Sequence, residues 1–206
     1  MLSRIICICS IAILLSFFLA SRSHAAQWGP IWDKLAEQPG AKVEDSMVNG
    51  KERRLIKLES GVDFVLQRNG NEVSYTGFDH SGHGGVMCAW GIYGSLRMFM
   101  DMCPTKTDDD LKMELDGALD IIGDFIVENN LTPVTKDQLL SGLHTKMENE
   151  MKLLRGMPKE QVHKTCLSSD ARTMIEAMKR MPKEKLHANI AKLLSVKRPP
   201  VMNPCL

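Results

Sequence analysis

The chain has 206 residues, of which 44% are hydrophobic and 25% are charged, an ordinary composition for a globular protein. Its 26 lysine and arginine residues nearly balance 25 acidic residues, so the composition does not favour nucleic acid or an anionic membrane as a partner. This length predicts one domain, or one domain with an appendage.

The first 25 residues have the pattern of a secretory signal peptide. Arg4 gives a basic start, Ile5 to Ala20 is an almost uninterrupted apolar run, and Ser23 and Ala25 are small residues at a cleavage site. We therefore expect cleavage near Ala25 and a secreted protein, periplasmic if the source is a Gram-negative bacterium, with no stable membrane span after cleavage. An uncleaved anchor is the alternative, although the run is short for a span of ~20 residues.

Residues 26–206, the predicted mature chain, are expected to form a single α+β domain. It opens with a short helix within residues 27–40, where Trp28 and Trp32 lie about one helical turn apart. Aromatic residues at this spacing are mostly packing residues, so we predict that both rings lie on the core. A contact with a partner or a membrane is the alternative.

The segment 41–78 is predicted to be an antiparallel β-meander of three or four strands. Turn signals such as Asn49-Gly50 separate runs that are rich in β-branched and aromatic residues. A sheet of this size is not stable alone, so one of its faces must pack on helices.

Residues 86–196 are predicted to form a bundle of about five helices, and residues 197–206 a tail. Thr107 precedes three aspartates, and Thr135 begins a capping box, two patterns that are typical of helix starts. We therefore expect an α+β fold in which a small N-terminal meander packs on a disulfide-tied helical bundle.

Cleavage would leave four cysteines, Cys88, Cys103, Cys166 and Cys205, so two disulfide bonds are expected in an exported protein. If residues 87–103 form one helix, its two cysteines are about 22 Å apart. That separation excludes a bond between them, because disulfide Cα atoms lie within about 7 Å. An up-down order of helices then favours Cys103–Cys166 and Cys88–Cys205.

Charge is segregated along the helical part of the chain. Residues 101–137 carry ten acidic residues and three lysines, whereas residues 138–206 carry thirteen basic and six acidic residues. We predict that the two segments offset each other within one fold. The alternative is that one of them forms a charged docking face.

The loop before the first long helix contains the candidate ligand-binding residues Asp79, His80, His83, Gly84 and Gly85. His80 and His83 are candidate ligands for a divalent metal, since imidazole and carboxylate groups bind Zn²⁺. A glycine-rich loop that leads into a helix can also bind an anion through its backbone N–H groups. The structural alternative is a connector whose glycines adopt positive φ.

These patterns assemble no catalytic site and indicate no required cofactor. We therefore expect an exported, non-enzymatic protein that binds another protein, in an immunity-like or secretion-accessory role. The second hypothesis is a protein, possibly an enzyme, that binds a metal or a small ligand at the loop 79–85.

Overall fold

The structure is a computed structural model, and it describes residues 28–103, 105, 108–168 and 170–205. The predicted signal peptide and the cleavage site near Ala25 lie outside these residues. The described residues contain a four-stranded antiparallel sheet, seven helices and two disulfide bonds. The predicted α+β class is therefore confirmed.

The four strands follow one another across the sheet in the order of the chain. Each strand pairs antiparallel with the next, so the first and the last strand form the two edges. The predicted meander over residues 41–78 is thus present. Its strands are β1 (Lys42–Val48), β2 (Lys51–Lys57), β3 (Val62–Asn69) and β4 (Glu72–Asp79).

A two-residue turn joins β1 to β2 and fixes their register. Asn49 and Gly50 have positive φ values of 52° and 74°, as a type I′ turn requires, and these residue types adopt such values at low cost. Val48 therefore faces Lys51 across the pair of strands.

Seven helices are present in the described residues, and six of them follow the sheet. The predicted bundle of about five helices is therefore not confirmed. The helices are α1 (Pro30–Ala36), α2 (Val86–Met102), α3 (Asp109–Asn129), α4 (Lys136–Arg155), α5 (Lys159–Ser168), α6 (Asp170–Lys179) and α7 (Lys183–Leu193).

Helix α1 starts later than the predicted helix within residues 27–40. Gly29 has a φ of 108°, which helical residues do not adopt, and Pro30 suits the first helical position. Trp28 consequently precedes the helix instead of sharing a helical face with Trp32, but it is still buried.

The N-terminal segment covers one face of the sheet. The guanidinium groups of Arg54 and Arg68 lie over the Trp28 ring, 5.3 and 5.0 Å from its centroid. Such cation–π contacts fix the start of the described chain on β2 and β3. Leu35 of α1 is buried in the same cluster as Phe64 of β3, so α1 and the sheet share one core.

Helix α2 is unbroken, and the cysteines near its two ends bond to other parts of the chain. Cys88 is bonded to Cys205 and Cys103 to Cys166, with Cα atoms 5.2 and 5.5 Å apart. These are the two pairs that helix length and an up-down order favour. One bond ties the tail to the start of α2, and the other ties its end to α5.

Acidic residues of α3 and of the residue before it contact basic side chains of α6 and α7. Asp108, just before α3, is fully buried, and its carboxylate lies 2.5 Å from Lys179 and 3.4 Å from Arg172, both in α6. Burial raises the pKa of Asp108, but hydrogen bonds, above all from Lys179, lower it to about 2. Glu114 of α3 pairs with Lys183 of α7 at 2.9 Å. These contacts are of the kind that the charge segregation predicts.

Candidate binding site

Asp79, the first predicted ligand residue, ends β4 and is buried together with Arg198 of the tail. Arg198 Nε donates to Asp79 Oδ2 at 2.5 Å, and its terminal nitrogens donate to the Gly84 and Val196 carbonyls, each at 2.9 Å. Asp79 Oδ1 accepts hydrogen bonds from the amide and the hydroxyl of Ser81. Both carboxylate oxygens are therefore occupied by groups of the protein itself.

The two candidate histidines contact different parts of the fold. His80 is largely exposed, with Nε2 3.8 Å from Asp63 Oδ2. His83 Nδ1 lies 3.0 Å from the Lys192 carbonyl oxygen and 3.2 Å from the Ser195 hydroxyl. The structure thus brings His83 to the end of α7 and leaves His80 beside β3.

The two glycines of the loop allow the tail to approach closely. Gly84 has a φ of 91°, which favours glycine. The Gly85 amide donates to the Pro204 carbonyl at 3.3 Å, and a Cβ atom at Gly85 would lie 2.8 Å from the Met202 carbonyl oxygen. In their described contacts, Gly84 and Gly85 hold the tail.

Metal binding at this loop stays a prediction. Among the described residues, no group of three or more His, Cys, Asp or Glu side chains is placed to hold a metal ion. A metal site at His80 and His83 would need further ligands. Asp79 could act as a metal ligand only if its carboxylate released Arg198.

The tail follows the outer edge of β4. Asn203 forms a parallel bridge with Phe78, and its carbonyl accepts a hydrogen bond of 2.6 Å from the Asp79 amide. Val201 packs on Gly77, where a methyl group would overlap its side chain. The tail therefore covers this edge at Phe78 through a single parallel bridge.

A groove of about 590 Å³ opens beside the other half of β4, between α1, the tail and the segment that follows α3. Trp32 and Tyr75 form its aromatic side, with ring centroids 4.6 Å apart. The lining residues are Ile31, Trp32, Phe64, Val73, Tyr75, Thr76, Gly77, Met87, Asn130, Leu131, Thr132, Pro200, Val201, Met202 and Asn203.

The groove combines an uncharged lining with exposed apolar side chains. Among the residues that the structure describes, none that lines it is charged, although 25% of the whole chain is. Tyr75, Met202 and Ile31 are 60%, 50% and 38% exposed. A concave apolar surface with a few amide and hydroxyl groups is typical of a binding site for an uncharged ligand.

A second cavity, of about 720 Å³, lies on the other side of α1 and differs in its charge. Lys34, Glu59, Glu128 and Lys197 line it, so both signs of charge are present. This mixed lining favours no single class of ligand, and the uncharged groove is the stronger candidate.

No local sequence pattern marks the groove. Trp32 has the spacing of a packing residue, and Tyr75, Thr132 and Met202 lie far apart in the sequence. One signal is the Cys88–Cys205 pair, which brings the tail to the start of α2, the element that follows β4 after the loop 80–85. That placement puts the residues before Cys205 near the edge of β4.

Comparison with known proteins finds no matching family model, no matching curated protein and no matching solved structure. Within the described ranges, no helix has the length and apolar character needed to cross a bilayer. The geometry of the groove is therefore the basis on which a function can be inferred.

Proposed function

We propose that the protein is exported and acts by binding another protein in the uncharged groove beside β4, without enzymatic chemistry. The observation that supports this proposal is the absence of charge among the described lining residues, together with the exposure of Tyr75 and Met202. An immunity-like role or an accessory role in secretion would use such a surface.

Burial of this surface supplies a driving force for association. Tyr75 and Met202 are at least half exposed, and transfer of their apolar atoms out of water is favourable. Tyrosine also presents a hydroxyl group, and aromatic residues of this kind commonly dominate the energetics of interfaces. The groove therefore has the composition of an interface centre.

The alternative, a metal or small ligand at the loop 79–85, has less support. The Asp79 carboxylate is held by Arg198 and Ser81, and His83 by the end of α7. A double substitution His80→Ala/His83→Ala separates the two hypotheses. The protein-binding hypothesis predicts that the partner is still bound, whereas the alternative predicts loss of bound metal or ligand.

Site-specific photocross-linking tests the proposal. A photoreactive phenylalanine analogue replaces Tyr75 in one variant and Met47 in another, in the full chain produced with its leader. Met47 is the matched control because it is 64% exposed, close to the 60% of Tyr75, and its side chain points to the same face of the sheet. We expect a discrete adduct in the exported fraction from position 75 and none from position 47. No adduct, or the same adducts from both positions, would contradict the proposal.

The export part of the proposal has its own test. The intact mass of protein recovered from the exported fraction should correspond to cleavage near Ala25 and to two disulfide bonds. A mass that retains residues 1–25 would contradict export with cleavage and would favour the anchored alternative. Elemental analysis of the same sample reports any stoichiometric metal.

A further inference from the structure

The edge of β4 beside the groove has backbone groups that face outward. In an antiparallel pair, alternate residues direct their N–H and C=O groups away from the partner strand. The Asp79 amide is one of these, since it donates to Asn203 of the tail. Val73 and Tyr75 have the same parity along the strand, so their N–H and C=O groups point to the same outer side.

This stretch of edge has room for another strand. In the described part of the chain, the outer side of β4 contacts the tail through the bridge between Phe78 and Asn203 and through the Asn203 side chain, which donates to the Gly77 carbonyl. Residues 74–76 are exposed, and Val73 is half-buried. The outward groups of Val73 and Tyr75 are thus placed to bind an extended backbone.

The groove lies on the face of the sheet where such a strand would place alternate side chains. Val73 and Tyr75 line the groove, and successive side chains of a strand point to opposite faces. Every second side chain of an added strand would therefore enter an uncharged, partly aromatic groove. The intervening side chains would lie beside Ser74 and Thr76, which are polar and exposed.

The tail shows which kind of segment this edge accepts. Asn203 pairs with β4 at Phe78 through a backbone hydrogen bond to the Asp79 amide, and the apolar Val201 side chain packs on Gly77. Residues 199–204 of the tail, Pro-Pro-Val-Met-Asn-Pro, carry no charge. A partner segment of the same chemistry would extend this pairing along residues 73–76 of β4.

We propose that the partner contributes an extended, uncharged segment that joins the sheet as an additional strand beside Val73–Thr76, with alternate apolar side chains in the groove. This inference rests on the proposed function and adds the mode of binding and the chemistry of the partner. Strand addition at a sheet edge takes its affinity from backbone hydrogen bonds and its specificity from pockets for alternate side chains.

The test uses the folded, oxidised protein and a phage-displayed library of short uncharged peptides. A second library carries lysine and glutamate at alternate positions. We expect binders from the uncharged library, with apolar residues at every second position. Failure to select binders from it, or equal enrichment from the charged library, would overturn the inference.

Val73→Pro and Met47→Pro form a matched pair for the backbone contact. Each substitution removes one outward-facing N–H near a two-residue turn. Val73 lies on the β4 edge of the sheet and Met47 on the β1 edge, and proline is tolerated on edge strands. A synthetic copy of a selected peptide should bind Val73→Pro about tenfold more weakly than the wild type, because a backbone hydrogen bond is lost. Its affinity for Met47→Pro should be unchanged. Equal affinity for all three proteins would overturn the inference.

Methylation of the peptide backbone gives a version of the test that leaves the protein intact. If the peptide binds as a strand, N-methylation of alternate amides should abolish binding and N-methylation of the intervening amides should not. Equal effects of the two patterns, or self-association of the protein through β4 in place of peptide binding, would overturn strand addition. A cross-linked partner at position 75 whose binding is insensitive to Val73→Pro would refute strand addition and leave the proposed function standing.

Discussion

The two edges of the sheet are protected in different ways. On β1, the charged residues Lys42, Glu44 and Asp45 lie in the first half of the strand. All seven residues of β1 are exposed. Charge of this kind prevents a strand edge from pairing with another chain. On β4, residues 73–77 carry no charge, and the tail covers the edge at Phe78.

The two kinds of protection leave different parts of the edges uncovered. Charged side chains protect β1 over residues 42–45, whereas a covered edge is closed only as far as the cover extends. The tail pairs at Phe78, and the stretch from Val73 to Thr76 lies beside the groove. The integrity of the tail therefore determines the shape of the candidate site.

The largest expected effect compares the ion pairs at the two edges. Arg198→Ala would leave the Asp79 carboxylate, 1% exposed, buried without its cation, and should lower the free energy of unfolding by about 3–5 kcal/mol. Asp45→Asn on β1 removes a carboxylate that is 56% exposed and should cost less than ~1 kcal/mol. Urea denaturation of both variants measures the contrast, and equal losses would contradict it.

The two disulfide bonds give the next prediction. Replacement of Cys88 and Cys205 by alanine should lower the free energy of unfolding by about 2–4 kcal/mol, because the bond closes a loop with a sequence separation of 117. The same change at Cys103 and Cys166, with a separation of 63, should cost slightly less in the chain-entropy view.

Amide exchange distinguishes the local consequences of the two replacements. Release of Cys205 should accelerate exchange of the Asp79 amide, because its acceptor is in the tail. The Cys103 and Cys166 variant should leave that amide as protected as in the wild type. Identical exchange in both variants would show that the tail stays on β4 without its covalent bond.

A smaller effect is expected where the tail packs on the strand. Gly77→Ala would place a methyl group against Val201 and 3.1 Å from Phe64 Cε1, at a cost of about 1–3 kcal/mol. Because the two sites are in contact, Val201→Ala in the same chain should recover part of this loss. Additive effects in urea denaturation would contradict direct packing of Val201 on Gly77.

The smallest effect concerns the charged edge. Hydrogen bonds from Arg54 lower the pKa of Asp45 below its ordinary value of 3.8, more than partial burial raises it. A lowered pKa means that the contribution to stability is present above pH 3.8 and is lost as the pH falls below that value. An NMR titration should show the pKa of Asp45 returning towards its ordinary value in Arg54→Gln, and an unchanged pKa would contradict the assignment.

Local patterns predicted the elements, and distant contacts determined the site. Asn49-Gly50 identifies a hairpin because only a few residue types adopt its φ values, and helix length alone separates Cys88 from Cys103. The histidines and glycines of the loop 79–85 also indicate a ligand site there. No local pattern could show that Arg198, far along the chain, forms an ion pair with the Asp79 carboxylate.

The groove illustrates the same limit. Tyr75 is typical of a strand and Met202 of an irregular tail, and neither residue type marks a binding surface in a sequence. They line one groove because the tail lies on β4 and α1 lies across the same face. Contacts between elements that are distant in sequence depend on the whole fold, so only the structure revealed them.

Hydrogen exchange of the edge amides tests the central claim most directly. In the free protein, the outward amides of Val73 and Tyr75 should exchange as rapidly as those of Asp45 and Met47 on β1. When a peptide selected from the uncharged library is added, Val73 and Tyr75 should become protected while Asp45 and Met47 stay unchanged. Protection at both edges, or at neither, would contradict the claim that the uncovered half of β4 is the binding site.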